Sequence, residues 1–372
     1  MNYLNIFYLI CIINIIREMK SIQAATYPIH FEQKAYQELS NLIATKNYSS
    51  IFILVDENTM EHCYPRCIQH VATNIPIEVI EIESGEVHKN IDTCMGIWNV
   101  MTELNADRHS LLITLGGGVI TDMGGFVAAT YKRGIDFVNI PTTLLSMVDA
   151  SVGGKTGVDL GVLKNQIGLF ANPEIVLIDP EYLQTVTPRE IRSGTAEIIK
   201  YGLTYDKSLF DKICNHENLN IVNLIPRSIE IKNEVVLQDP KEKSLRKILN
   251  FGHTIGHAIE SYFLDTDSKE NLTHGEAIAI GMICECFISS KLLNFSKEDT
   301  DNIKSVIISI YGKAAILKED FSFIINLLKH DKKNIGGEIN FVLLNKIEDF
   351  KLDCKVPTEL IIQSLEYYNE LI

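Results

Sequence analysis

Five short runs rich in β-branched residues recur between positions 50 and 180: IFILV at 51–55, IEVIEI at 77–82, LLITL at 111–115, FVNI at 137–140 and IVLI at 175–178, with helical stretches between them. Such alternation constrains the chain to a parallel sheet whose strands are joined by crossover helices. Beyond Pro188 the strand-like runs nearly vanish and long amphipathic stretches take over, as from Ile221 to Leu237. The expected fold is an α/β N-terminal Rossmann-like domain followed by an all-α C-terminal domain. The break falls between Asp179 and the Thr187-Pro188 dipeptide, giving expected domains at 19–184 and 185–372. A chain of 372 residues has room for two such units.

The first eighteen residues, MNYLNIFYLICIINIIRE, are apolar but lack the basic flank and small-residue cleavage site of a secretory signal, and they are short for a membrane span. We expect residues 1–18 to be an extension outside the fold, with Met19 as an alternative start and a membrane anchor as the competing reading. A composition of 46% hydrophobic and 22% charged residues is that of a globular chain. Its net charge of −14 argues against nucleic acid, whose phosphates require a basic face, so any anionic ligand must be met by local lysines and arginines. Eight cysteines, at 11, 63, 67, 94, 214, 284, 286 and 354, form no dense framework and read as reduced, which suits a cytoplasmic location. Cys63 and Cys67 have CxxxC spacing, better explained by helix packing than by a metal.

LLITL runs straight into Gly116, Gly117 and Gly118, and VITDMGGFVAATY then reads as a helix. A glycine turn between strand and helix presents backbone N–H groups and the positive end of a dipole, which suits a pyrophosphate; a plain tight turn is the alternative. Asp56, Glu57 and Asn58 follow the first strand, where an acidic side chain accepts from ribose hydroxyls, and Ser84, Gly85, Glu86 and Lys89 follow the second. A second loop, DASVGGKTGVD, approaches the phosphate-binding GxxxxGK[ST] pattern but begins with Asp149 in place of glycine, which excludes an ATP or GTP hydrolase of that type. Lys155, and Lys164 with Asn165 shortly after, are expected to cluster around an anion.

Farther on, Glu197 lies in SGTAEIIKYG, His253 and His257 in LNFGHTIGHAIE, and His274 in LTHGEAIAIGM. Two or three imidazoles with one carboxylate are the ligand set of a catalytic zinc site that keeps one position open. His253 and His257 share a helix face, as do Glu197 and Lys200, so the histidine pair could grip one ion; an accidental pair is the alternative. Gly252, Gly256, Gly275 and Gly281 would let backbones come close there.

These segments together resemble the 3-dehydroquinate synthase family. The resemblance runs from Met19 to the C-terminal region and rests on GGGVITDMGGFVAATYKRGIDFVNIPTTLL, VDASVGGKTGVD, KNQIG, SGTAEIIKYGL, LRKILNFGHTIGHAIE and HGEAIAIGM. It implies a nucleotide-binding α/β domain, a helical domain, a homodimer, bound NAD and a divalent metal, zinc or cobalt. By position it places the metal on Glu197, His253 and His274, which makes His257 a substrate-side residue. NAD contacts would fall on Asp56, Asn58, Glu86, Lys89, Gly117, Gly118, Asp122, Thr142 and Thr143, with Lys155 and Lys164 near nucleotide or substrate. Substrate contacts would fall on Asp149, Lys155, Lys200, Lys232, Arg246, Asn250 and His257, plus Arg133 reaching a neighbouring subunit's site and either Lys332 or Lys333. Thr121, Asp159 and Ser244 depart from the family's frequent glycine, asparagine and glycine, which bears on loop geometry.

The implied reaction turns 3-deoxy-D-arabino-heptulosonate 7-phosphate into 3-dehydroquinate and phosphate, a step of aromatic amino acid biosynthesis. It proceeds by transient oxidation with NAD, phosphate elimination, re-reduction and intramolecular aldol closure, with no net redox change. No nucleic acid or membrane partner is expected. The competing readings are a cyclase acting on another sugar phosphate and an NAD- and metal-dependent polyol dehydrogenase.

Overall fold

The structure, a computed structural model, describes residues 19–215, 219–266, 268–328 and 339–370. In chain order the first half runs β1 (Ile22–Gln23), β2 (Pro28–Phe31), α1 (Glu32–Lys46), β3 (Ile51–Asp56), α2 (Glu57–His62), α3 (Tyr64–Gln69), β4 (Ile77–Ile82), α4 (Ile91–Glu103), β5 (Leu111–Gly116), α5 (Gly118–Thr130), β6 (Asp136–Pro141), β7 (Lys155–Leu160), β8 (Leu163–Phe170) and β9 (Ile175–Ile178). Seven of these strands form one sheet in the order β1-β2-β9-β6-β5-β3-β4, parallel throughout except for the β1–β2 pair. All five runs of the sequence pattern are strands of this sheet.

Strand alternation builds two cores on the two faces. Ile51, Ile53 and Val55 pack with Leu111, Ile113 and Leu115 on one side, while Phe52, Leu54 and Leu112 pack with Met123 and Val127 of α5 on the other. Every one of these side chains is buried, as a parallel sheet covered on both faces requires. From β3 the chain crosses to β4 on one side, and β5 then lies on β3's opposite side. That reversal makes a switch point, and the crevice outside the carboxyl ends of the two strands is where such sheets take ligands. Asp56 and Gly116 end those strands.

Two pieces of the first half depart from the expected pattern. IQ at 22–23 and PIHF at 28–31 extend the sheet beyond β9, although a proline and short length hide them as strands. β7 and β8, which carry the GGKTGVD segment onward, form a separate antiparallel hairpin.

The second half holds α6 (Pro188–Thr204), α7 (Lys207–Cys214), α8 (Ile225–Gln238), α9 (His253–Leu264), α10 (His274–Leu292), α11 (Lys297–Tyr311), α12 (Phe321–Leu328), β10 (Asn340–Lys346), β11 (Asp349–Lys355) and α13 (Thr358–Asn369). It is mostly helical rather than all-α, because β10 and β11 form an antiparallel hairpin. Phe341, Val342, Leu343 and Leu344 bury that hairpin, and the Leu344 N–H donates to Ser289 Oγ of α10 at 3.0 Å. The pair needs this helical support, since an isolated two-stranded hairpin is marginal. Residues 1–18 lie outside the described residues, and among the described residues no helix is long and apolar enough to cross a membrane.

Candidate active site

Three helices of the second half meet backbone to backbone, and small residues permit it. A Cβ on Gly281 of α10 would lie 1.9 Å from the Gly252 carbonyl oxygen just ahead of α9. A Cβ on Gly275 would lie 2.1 Å from the Ser193 oxygen of α6. Gly252 itself holds φ +77°, the left-handed conformation that glycine adopts without strain. Buried Glu285 of α10 fixes the junction by accepting from the Gly252 N–H at 2.7 Å, a carboxylate at a helix N-terminus.

This packing brings Glu197 from the middle of α6 to the imidazoles that open α9 and α10. Glu197 Oε1 lies 3.3 Å from His253 Nε2 and 3.5 Å from His274 Nε2. The other ring nitrogens face acceptors: His253 Nδ1 is 3.0 Å from the Phe251 carbonyl, and His274 Nδ1 is 3.2 Å from Glu260 Oε2. With Nδ1 protonated in each ring, both Nε2 atoms would present lone pairs beside the same fully buried carboxylate oxygen. One carboxylate oxygen and two imidazole nitrogens this close together are a donor set that suits a divalent cation. His257 stands beside them, its ring centroid 5.1 Å from that of His253, and donor atoms of all three histidines lie within 4.8 Å of one another.

The electrostatics agree. Burial opposes ionisation of Glu197, yet Lys200 and His253 hold it well below the usual carboxylate range. Burial likewise opposes an imidazolium at His274, but Glu260 and Glu197 raise it above its ordinary value. Burial keeps His253 below its ordinary value.

A second group surrounds Asp149. Lys232 Nζ contacts its carboxylate at 2.8 Å, Tyr201 donates to it at 2.6 Å, and Lys200 Nζ stands 3.9 Å away while bonding Glu197. Burial opposes ionisation of Asp149, but Lys232 and Lys200 hold it down to about 2. Buried Arg246 donates to the Gly153 carbonyl at 2.9 Å and to the Pro240 carbonyl at 2.7 Å, and its Nε finds no hydrogen-bond partner among the described residues. Gly153, at φ +101°, is where the guanidinium passes: a Cβ there would come within 2.8 Å of it. Glu242 gathers Lys155 and the Asn250 amide, the latter at 2.6 Å.

The switch-point crevice holds a third group. Gly117 caps α5, and Thr143 packs so closely that a Cβ on Gly117 would meet it at 3.2 Å. The Thr142 N–H donates to the Gly116 carbonyl at 3.0 Å. Asp56 closes a capping box with Thr59 at the start of α2, and Asn58 is exposed one residue beyond Glu57. Lys89 Nζ bonds Asp122 at 2.6 Å and Asn165 at 2.8 Å, and Lys164 bonds Glu86.

Three expectations need correction or fall elsewhere. Lys155 and Lys164 do not cluster: they lie near opposite ends of the β7–β8 hairpin, Lys155 turned to Glu242 and Lys164 to Glu86 and Glu260. Arg133 sits at the far end of α5 from Gly117, on an exposed turn where Lys132, Arg133 and Gly134 hold φ of 48, 74 and 111°. A 13-residue helix spans about 20 Å, which is the separation of Arg133 from the glycine turn. Lys332 and Lys333 lie outside the described residues.

The variant loop residues are accommodated. Thr121 bonds back to the Gly117 carbonyl at 3.2 Å, Asp159 accepts from the Asn165 N–H at 2.6 Å, and the Ser244 N–H donates to Asp239 at 2.7 Å. Four contributors were not foreseen: Tyr201, Glu242, Glu260 and Glu285. Glu260 falls seven residues after His253 and three after His257, on one helix face, so extending the histidine spacing would have found it. Glu242 has no such signal, for it lies in a charged loop at φ +56°.

Family profiles described as 3-dehydroquinate synthase N-terminal and C-terminal match residues 79–193 and 194–334. A 3-dehydroquinate synthase of Parabacteroides distasonis is 41% identical over 340 residues, covering 90% of this chain and 95% of its own. One from Nostoc punctiforme is 37% identical over 367 residues, covering 95% and 99%. Among solved structures, a 2-deoxy-scyllo-inosose synthase complexed with carbaglucose-6-phosphate, NAD+ and Co2+ superposes with a TM-score of 0.79 over 94% of this chain and 99% of that one. At 22% identity that likeness bears on the fold alone. With 41% identity across nine-tenths of its length and both domain profiles matched in order, the chain belongs to the 3-dehydroquinate synthase family.

Proposed function

We propose that this chain converts 3-deoxy-D-arabino-heptulosonate 7-phosphate into 3-dehydroquinate and phosphate, as a cytoplasmic homodimer holding NAD and a divalent metal. The observation that carries the reading is the approach of His253 and His274 to one oxygen of buried Glu197, beside the buried cations Lys200, Lys232 and Arg246. Glu197, His253 and His274 hold the metal, and the switch-point crevice, with Gly117, Gly118, Thr142, Thr143, Asp56, Asn58, Glu86, Lys89 and Asp122, holds the nucleotide. When bound, the metal lowers the pKa of a substrate hydroxyl and the nicotinamide accepts and returns a hydride.

The side chains supply the rest. The substrate's carboxylate and phosphate each need cationic partners once out of water, and Arg246, Lys232, Lys200 and Lys155 provide them within an acidic protein. Arg246 is suited to a carboxylate because its buried Nε keeps a donor in reserve while its other nitrogens are anchored on backbone carbonyls. Asp149, held ionised, orients Lys232 and Tyr201 and offers an acceptor to a substrate hydroxyl. His257, beside the metal-binding rings, moves a proton to or from the substrate. Lys164 stands at the nucleotide, through Glu86, and not at the substrate anion.

Purified protein given heptulosonate phosphate and catalytic NAD should release phosphate without accumulating NADH, and a chelator should stop it. Stoichiometric NADH would instead indicate a polyol dehydrogenase. Activity confined to other sugar phosphates would overturn the substrate assignment.

A further inference from the structure

Glu260 stands between two of the sites described above. It is buried in α9, one turn beyond His257, and each of its carboxylate oxygens has a separate partner: Oε2 lies 3.2 Å from His274 Nδ1, and Oε1 lies 3.2 Å from Lys164 Nζ. Lys164, 8% exposed, also bonds Glu86 at the nucleotide crevice and lies 3.7 Å from Asp159. A carboxylate on the outer nitrogen of a metal-binding imidazole fixes its tautomer and ring plane and strengthens it as a ligand. His253 has a weaker partner in the same place, the neutral Phe251 carbonyl. Of the two imidazoles facing Glu197, His274 is thus the one oriented by a charged group, and that group is itself fastened to the nucleotide side.

We propose that Glu260 is a positioning residue that sets the orientation of His274 at the metal and links it, through Lys164, to Glu86 in the nucleotide crevice. The inference rests on the metal and NAD reading above. A carboxylate that served only to neutralise Lys164 would need neither the second oxygen's contact nor a place on the histidine-bearing face of α9. Substituting it should loosen His274 without removing any ligand atom.

The experiment measures Zn2+ affinity of purified protein against a chromophoric chelator and records the visible spectrum of the Co2+-loaded form. Glu260→Gln should weaken Zn2+ binding ten- to a hundredfold, the range found when such partners are removed, and should alter the Co2+ ligand-field bands. NAD should raise the wild-type metal affinity, and Glu260→Gln should abolish that dependence while leaving nucleotide binding measurable. Glu260→Asp keeps the charge but withdraws it by one methylene; it serves if the glutamine variant fails to fold, and is expected to bind Zn2+ less tightly with a perturbed spectrum. Asp179→Asn, which breaks a buried network with Tyr36 and Arg66 away from the site, should lower the melting temperature and leave the Co2+ bands unchanged. Wild-type affinity and spectrum in both Glu260 variants would overturn the inference alone. A wild-type protein that retains no metal would overturn the reading beneath it.

Discussion

Asp159 carries the chain's most consequential departure from the family's frequent residues. Around it the described residues place Glu86, Asp122 and Glu260 against the ammonium groups of Lys89 and Lys164, so carboxylates outnumber lysines. Burial in that company lifts Asp159 to about 6 from an ordinary 3.8, against the pull of Lys164 and Lys89. The sign follows from linkage. The folded protein binds a proton between about pH 4 and 6 that the unfolded chain does not, so stability falls as pH rises through 6 and Asp159 is a net cost at pH 8. Asparagine keeps the acceptor for the Asn165 N–H and removes the charge. Asp159→Asn should therefore stabilise the metal-free protein by roughly 1–2 kcal/mol at pH 8 and by about a third as much at pH 4.5. Urea melts at the two values check it; equal effects at both would show that the charge is not the cause.

At the scale of elements, the architecture turns on where glycine is required. In Gly281→Ala the added methyl would fall 1.9 Å from a backbone oxygen of the neighbouring helix start, where neither side can yield cheaply. That variant should lose at least about 3 kcal/mol of stability and, because α9 and α10 separate, its metal affinity as well. Gly96, inside α4, is the opposite case: a methyl added there would meet no other atom within 4 Å, and Gly96→Ala should gain up to about 1 kcal/mol from helix propensity alone. Thermal melts of the two variants test the contrast, and a tolerated Gly281→Ala would refute the backbone-contact account. The same contrast explains what could be read in the sequence. Strands such as Ile51–Asp56 and Leu111–Gly116 were legible because their whole apolar run is buried, and the glycines near His253 and His274 signalled close packing. β2 was not, since a four-residue strand opened by proline carries little pattern of its own, whereas the apolar FVLL run of β10 and the alternation of β11 are in the sequence and lay beyond the region read as strands. Glu242 was hidden for another reason: a loop side chain's direction depends on backbone dihedrals, here φ +56°, that no residue spacing encodes.

At the scale of the whole molecule, Arg133 is the residue through which one subunit would complete another's site. Arg133 projects from an exposed turn whose three consecutive residues hold positive φ, two of them non-glycine, a strained arrangement that is costly unless something uses it. It lies at the opposite end of α5 from the glycine turn, and the family resemblance assigns it to a neighbouring subunit's site. In a two-fold dimer such a role would be reciprocal, each subunit lending Arg133 and borrowing its partner's. Arg133→Ala and His274→Ala homodimers should each be nearly inactive, the first lacking the lent cation at both sites and the second lacking a metal ligand. In a mixed dimer, isolated through a different tag on each chain, the Arg133→Ala subunit keeps its own His274 and receives an intact Arg133 from its partner. That site should work, giving about half the wild-type specific activity. If Arg133 acted within its own chain, both sites of the mixed dimer would be defective and no activity would return, and failure to isolate any doubly tagged species would remove the dimer itself.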